Sequence, residues 1–331
     1  MAGGGDTMNA LKLQSLLAVD IQNLITLRRL SGTDYQSQAQ LLGYFDRFLV
    51  EQHLREPCIT RKTVDRYLES LSHLAPRTRL NRFSVVKQLC EYLARNDPVG
   101  YVPEPLRASA SRGAHQPYIY SNSEIQTLLA AASQLPPENS LRPHTYRTLL
   151  GLLYSTGIRI GEASALKLEH VHSHEQMLYI EEGKFRKARW VPLSDTTCQA
   201  LQQYMRKRLQ MPPRSPDSPF FINQRSCQLH HCTVNQSFRH LLRQCDIHHS
   251  KNTGPRIHDI RHTFAVHRLL AWYQDGDDVN ARLPWLATYM GHVDIHSTQV
   301  YLRATSELIE QVDQRFHNHY LHQVKSQGGI K

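Results

Sequence analysis

Between Asp97 and Pro117 the chain carries Pro98, Gly100, Pro103, Pro105, Gly113 and Pro117 in a stretch without hydrophobic period. Proline fixes φ and withholds a backbone donor, and glycine offers no side chain to hold an element in place, so neither helix nor strand can run through such a segment. It reads as a linker over residues 99–117, which obliges the rest of the chain to build two cores, within 1–98 and 118–331. At 331 residues the chain is long enough to bury both.

The two parts differ in pattern. In the first, Leu11, Leu16, Leu17, Ile21, Leu24 and Ile25 recur at helical spacing, and Leu41, Leu42, Phe45, Phe48 and Leu49 do so again. Further helices are predicted over Thr60 to Leu74 and from about Thr78 to Ala94, with no strand signal anywhere in this part. The second part opens on Ser121 and Glu124, spaced as a capping box, before Ile125, Leu128 and Leu129. A helix is then expected from Pro143 into Gly157, and a β-hairpin about Gly183 from Met177–Glu181 and Ala188–Leu193. Helices over Asp195 to Leu209, Thr233 to Cys245, Asp259 to Tyr273 and Leu283 to Met290, and one from Ser297 onward, complete a mainly helical chain of two domains with one small antiparallel sheet.

Charge narrows the class. Lys and Arg number 39 against 29 Asp and Glu, a formal net charge of +10, and both parts are basic. Two basic domains suit a polyanion, because each phosphate neutralised releases counterions, although a merely basic surface carries the same charge. The fourth helix opens with Arg77, Arg79 and Arg82 beside Thr78 and Asn81, either a face that contacts DNA phosphates or a solvated basic face. With 40% hydrophobic and 21% charged residues the chain is neither disordered nor lipid-embedded in composition. No apolar run is long enough to span a membrane, and the start Met1-Ala2-Gly3-Gly4-Gly5-Asp6 lacks the layout of a secretion signal. A cytoplasmic, nucleoid-associated protein with no membrane contact is expected. Cys58, Cys90, Cys198, Cys227, Cys232 and Cys245 are sparse and read as reduced thiols. Cys227, His230, His231 and Cys232 offer zinc-type ligands, but their spacing is too compact for one tetrahedral site, and no metal is expected.

Three segments carry chemistry when taken together. In Tyr154-Ser155-Thr156-Gly157-Ile158-Arg159-Ile160-Gly161-Glu162 an apolar helix stops at a glycine turn and another begins beside an arginine. In Ile257-His258-Asp259-Ile260-Arg261 a histidine and an arginine three apart share a helix face. In Tyr289-Met290-Gly291-His292, with Tyr301 nine residues on, a histidine precedes a tyrosine. Singly, such residues are surface ion pairs, structural histidines or packed aromatics; their ordered coincidence is what speaks.

That order, over nearly the whole chain, resembles the tyrosine recombinase (phage integrase) family, of the Xer and transposon-integrase type. The resemblance implies a helical SAM-like core-binding domain over 1–98 and a mixed α/β catalytic domain over 118–331. It implies catalytic residues Arg159, Lys184, His258, Arg261, His292 and Tyr301, with Lys184 chosen because it follows the glycine of Gly183-Lys184-Phe185-Arg186-Lys187. Lys187 is the second choice for that role and otherwise a DNA contact. Glu162 and Asp259 are supporting residues, and no cofactor is called for. The implied activity cuts and rejoins DNA through a 3′-phosphotyrosine, exchanging strands through a Holliday junction. The implied partners are double-stranded DNA with paired recombination sites, a homo-tetramer on that DNA and accessory recombination proteins. A type IB topoisomerase-like relaxation, or a catalytically silent DNA-binding protein, are the alternatives. Asp275-Gly276-Asp277-Asp278 lengthens the Arg261 to His292 interval beyond that of compact members. Nothing before residue 9 resembles a lambda-type arm-binding domain, and Leu308, Ile309, Val312 and Phe316 within 305–324 mark a helix that packs either on its own domain or on a neighbouring protomer.

Overall fold

The computed structural model describes residues 12–54, 56–95, 97, 100–106, 117–181, 188–249 and 254–291. Lys184, Lys187, His292, Tyr301 and the expected C-terminal helix lie outside the described residues. The chain divides into two compact units, Met1–Ala114 and His115–Lys331.

The first unit holds α1 (Ala18–Leu30), α2 (Gln36–Glu51), α3 (Arg61–Ser70) and α4 (Pro76–Leu93). Its core joins Ile21, Leu24, Leu42, Phe45, Leu49, Val64, Tyr67, Phe83 and Leu89, the apolar faces read from the 3.6-residue period. Thr60 starts α3 by a reciprocal box with Thr63, and α4 starts two residues before the expected Thr78 because Pro76 occupies its first turn, where its missing N–H costs nothing. Arg77 is exposed, whereas Arg79 and Arg82 are half-buried. The Arg82 guanidinium lies 4.7 Å and that of Arg47 4.9 Å from the centroid of Tyr44.

The second unit runs α5 (Asn122–Ala132), α6 (Leu141–Thr156), α7 (Ile160–Ser164), β1 (Val171–His172), β2 (Met177–Ile180), β3 (Arg189–Pro192), α8 (Asp195–Arg208), α9 (His231–Gln244), α10 (Asp259–Asp275) and α11 (Val279–Met290). The expected hairpin is a three-stranded antiparallel sheet in order β1-β2-β3. Leu178 pairs with Val191, and Ile180 with Arg189, so the alternation turns Leu178, Ile180 and Val191 into the core and leaves Trp190 exposed. Ser140, not Pro143, opens α6, its hydroxyl accepting from the Arg142 N–H while the proline sits inside the first turn. Likewise α11 begins four residues before the expected Leu283, because Asp278 accepts from the backbone of Asn280 and Ala281. The polar Asp275–Asp278 stretch is therefore a helix stop joined to a helix start, with Gly276 at φ 85° ending α10.

Arg208, wholly buried at the end of α8, donates to the carbonyls of Met211, Pro213, Pro219 and Phe220. Among the described residues carbonyl dipoles, rather than a carboxylate, answer its charge and tie the 211–220 loop to the core. Arg208→Met strands four acceptors in an apolar setting and is expected to cost about 3–5 kcal/mol. Urea denaturation of the full chain would measure it, and a loss below about 1 kcal/mol would show that the loop does not depend on this residue.

Candidate active site

The site forms where four helix ends meet. Gly157 ends α6 at φ 62°, and a Cβ there would collide with the ring carbons of Phe264, so only glycine lets the chain turn at this point. Two residues on, Arg159 occupies the N-cap position of α7 and Glu162 its third helical position. Glu162 Oε2 accepts from the Arg159 backbone at 2.9 Å, and Oε1 from the Arg159 guanidinium at 2.7 Å. The same carboxylate takes a bidentate pair from Arg189 on β3, at 3.1 and 2.8 Å. Burial alone would raise the Glu162 carboxyl; Arg189 and then Arg159 outweigh it and hold the group below the usual carboxylate range.

Three arginines close the C-terminal end of α11. Arg189 donates from Nε to the Tyr289 carbonyl at 3.1 Å, Arg261 to that of Met290 at 2.7 Å, and Arg159 to that of Gly291 at 2.9 Å. Helix ends leave such carbonyls without intrahelical partners and carry partial negative charge, which guanidinium groups satisfy. Gly291 stands at φ 69°, and a Cβ on it would come within 2.9 Å of the Arg189 guanidinium carbon. Arg261, 2% exposed in the first turn of α10, also donates to the Gly157 carbonyl. Arg159 and Arg261 thus rest on consecutive carbonyls, side by side.

His258 is accessible just before α10. The protein packed around it, and then Arg261 and Arg256, press its imidazole pKa below the ordinary value, only partly opposed by Asp259. Asp259, fully buried, accepts from both the backbone and the guanidinium of Arg256 at 2.8 Å. The His262 ring meets His258 edge to face at 5.0 Å. Burial first, and then His258, push His262 from 6.5 down to about 4, against the pull of Asp259.

This imidazole is neutral in the native state across a range where the unfolded chain takes up a proton. Stability is therefore fully present above pH 6.5 and falls as the pH drops towards about 4. The DNA-free protein is expected to lose about 2 kcal/mol between pH 7.5 and pH 5 through this residue alone. His262→Asn should remove that share of the loss in paired urea titrations; an unchanged pH slope would refute the assignment.

Of the residues singled out in the sequence, Arg159, Glu162, His258, Asp259 and Arg261 come together here. Arg77, Arg79 and Arg82 belong to the other unit. Arg189 joins the site without standing out in the sequence as a functional residue. Its one readable signal is an arginine on the same strand face as the buried Val191, where a charge needs a buried anion. The Tyr289–Gly291 carbonyls leave no signal in residue identity. The cysteine and histidine cluster has other duties: His230 caps α9 by accepting from the Cys232 N–H, and His231 lies 3.1 Å from the Asn235 amide. Among the described residues no group of three or more His, Cys, Asp or Glu is placed to hold a metal ion. None of the helices there is long and apolar enough to cross a membrane.

Residues 120–307 match the phage integrase family. A Sinorhizobium fredii protein assigned to the integrases/recombinases, y4rB, is 34% identical over 304 residues, covering 89% of this chain and 95% of its own. The tyrosine recombinase XerC of Chlamydia caviae is 28% identical over 276 residues, 81% of each chain. The fold is that of the Tn1549 transposon integrase, solved with transposon right-end DNA, at a TM-score of 0.65 and 16% identity over 90% of this chain and 99% of that one. The chain belongs to the phage integrase family, the tyrosine recombinases, enzymes of DNA recombination and integration.

Proposed function

We propose that this chain is a site-specific recombinase that breaks and rejoins DNA through a 3′-phosphotyrosine and exchanges strands through a Holliday junction. The observation that carries the reading is the adjacency of Arg159 and Arg261 on the Gly291 and Met290 carbonyls, beside an imidazole biased towards its neutral form.

A phosphodiester resists attack because its oxygens are anionic and its 5′ oxygen leaves poorly. Arg159 and Arg261 grip the non-bridging oxygens with planar, permanently charged forks and stabilise the pentacoordinate transition state. Tyr301 Oη attacks phosphorus, and its proton passes to His258, whose lowered pKa keeps it able to accept. The O5′–P bond breaks as Lys184 protonates the departing oxygen. His292 donates a hydrogen bond to the phosphate. The phosphotyrosyl bond conserves the energy of the broken ester, so a 5′ hydroxyl reverses the step without ATP. Glu162 and Asp259 orient Arg159 and the start of α10. No step calls on a metal or cofactor.

In this reading residues 1–98 hold DNA through Arg77, Arg79 and Arg82, residues 99–117 link, and residues 118–331 cut, with Lys187 also on the DNA. Paired sites recruit four protomers, and accessory proteins set direction. The Tn1549 integrase is solved with transposon right-end DNA, and in this reading the partner of the present chain is double-stranded DNA.

The test is covalent trapping on a nicked duplex carrying the target site, in EDTA, resolved on a denaturing gel. A 3′-linked adduct with a free 5′ hydroxyl is expected at undiminished yield, and dependence on a divalent ion would overturn the mechanism. Relaxation of supercoiled DNA without exchange between two sites would assign the chemistry to a topoisomerase instead.

A further inference from the structure

Glu162 is an almost closed-off carboxylate, 3% exposed, held between two arginines rather than one. Its oxygens accept four hydrogen bonds, two from Arg159 and two from Arg189. The balance of charge follows directly. With Arg159 alone the carboxylate would form a neutral pair, and a neutralised arginine attracts a phosphate weakly. With Arg189 present the group of three keeps one positive charge. Arg189, with two hydrogen bonds of its own to the carboxylate, is the first of the two cations that hold the carboxyl down.

Arg189 is also placed as a mechanical link. It stands at the start of β3, donates to Tyr289, and packs against Gly291, whose carbonyl receives Arg159. One side chain therefore touches the acid that orients Arg159 and the helix end on which Arg159 rests.

We infer that Arg189 is a positioning residue for the strand-cleavage reaction: it absorbs the charge of Glu162 and braces the end of α11, so that Arg159 meets the phosphate as a full cation in a fixed place. The inference rests on the reading of Arg159 as a phosphate-binding residue. A purely structural clamp would make a different demand. If β3, α7 and α11 merely needed tying together, removing Glu162 as well as Arg189 would worsen the damage. If charge is what Arg189 supplies, a neutral residue at 162 relieves the need for it.

The experiment compares single-turnover adduct formation by the full-length unaltered chain, Arg189→Met, Arg189→Lys, Glu162→Gln and the double variant Arg189→Met/Glu162→Gln on one nicked duplex. Tyr301→Phe runs alongside, and DNA affinity and thermal midpoints are measured for all. Arg189→Met is expected to slow cleavage roughly 100-fold, the scale of misplacing the Arg159 guanidinium by about 1 Å, with DNA affinity within about three-fold. Arg189→Lys keeps the charge and is expected to hold about a tenth of the rate or more. The double variant is expected to recover at least about ten-fold over Arg189→Met, since the neutral amide it carries at position 162 no longer competes for Arg159. Should Arg189→Met fail to fold, Arg189→Lys and the double variant, which buries no carboxylate at position 162, carry the comparison with Glu162→Gln. Cleavage by Arg189→Met within about three-fold of the unaltered chain, or a double variant no faster than Arg189→Met or far slower than Glu162→Gln, would overturn the inference while leaving the functional reading standing. A chain forming no Tyr301-dependent adduct would remove the functional reading and this inference together.

Discussion

Tyr301→Phe is expected to bind its DNA site as the unaltered chain does and to form no covalent adduct on a nicked duplex. The substitution removes one oxygen and keeps the ring, so contacts of the aromatic body survive while the attacking atom is gone. Deleting the nucleophile of a covalent enzyme costs on the order of 10⁶-fold, far beyond what trapping on a gel would miss. The chain has 15 tyrosines, and the structure shows why neighbours of the site make poor substitutes. The Tyr289 hydroxyl donates to the Pro192 carbonyl at 3.0 Å, and burial pushes its pKa up to about 12, with Arg268 and Arg189 only partly opposing. The Tyr154 hydroxyl lies 3.0 Å from both the Asn122 side-chain oxygen and His267 Nδ1, and its pKa is likewise raised by burial. Both phenols are committed and harder to ionise than a free one. An adduct of undiminished yield in Tyr301→Phe would mean that another nucleophile cuts, and Tyr289 and Tyr154 would be the next residues to replace.

Local chemistry was legible wherever a side chain acts on its own backbone. Ser121 and Glu124 announce α5, and their reciprocal bonds form as the spacing requires. Gly157 announces the stop before Arg159, because a turn of that hand excludes a side chain there. Two helix starts lie ahead of the expected residue. Ser140 and Asp278, rather than Pro143 and Leu283, open α6 and α11, since a serine or aspartate ahead of an apolar run is the stronger mark. β1 could not be read at all: two residues, Val171 and His172, have no period, and only pairing with Met177 and Leu178 makes them a strand.

The candidate site divides in the same way. Arg159, His258 and Arg261 stand out because their types and spacing are chemical. Arg189 and the carbonyls of Tyr289, Met290 and Gly291 do not, because their part depends on β3 meeting the end of α11, a contact spanning 100 residues. Any residue type would present those carbonyls, so sequence holds no trace of them. What the sequence omits is the scaffold that lines up the arginines, and Arg189 belongs to that scaffold as much as to the site.

Arg261→Lys is the conservative change expected to do the most harm, lowering adduct formation by about 10³-fold or more while DNA affinity moves by only a few-fold. The guanidinium of Arg261 bridges the Gly157 carbonyl, which ends the helix before Arg159, and the Met290 carbonyl, one residue ahead of the carbonyl that receives Arg159. A lysine brings one ammonium where two diverging donors are required, so one buried carbonyl loses its partner, at about 1–3 kcal/mol. It also loses the fork that would meet two phosphate oxygens, a loss of about 10²–10³-fold where transition-state charge is concerned. Because both bridged elements set the place of Arg159, displacement of that side chain multiplies the effect, a 1 Å error costing roughly 10²-fold. Arg159→Lys provides the contrast. Its side chain is 22% exposed, so its rate should fall with little loss of stability, whereas Arg261→Lys should lower both rate and thermal midpoint. Cleavage by Arg261→Lys within about ten-fold of the unaltered chain would mean that the buried guanidinium only braces helices, and the transition-state charge would then have to be met by Arg159 without it.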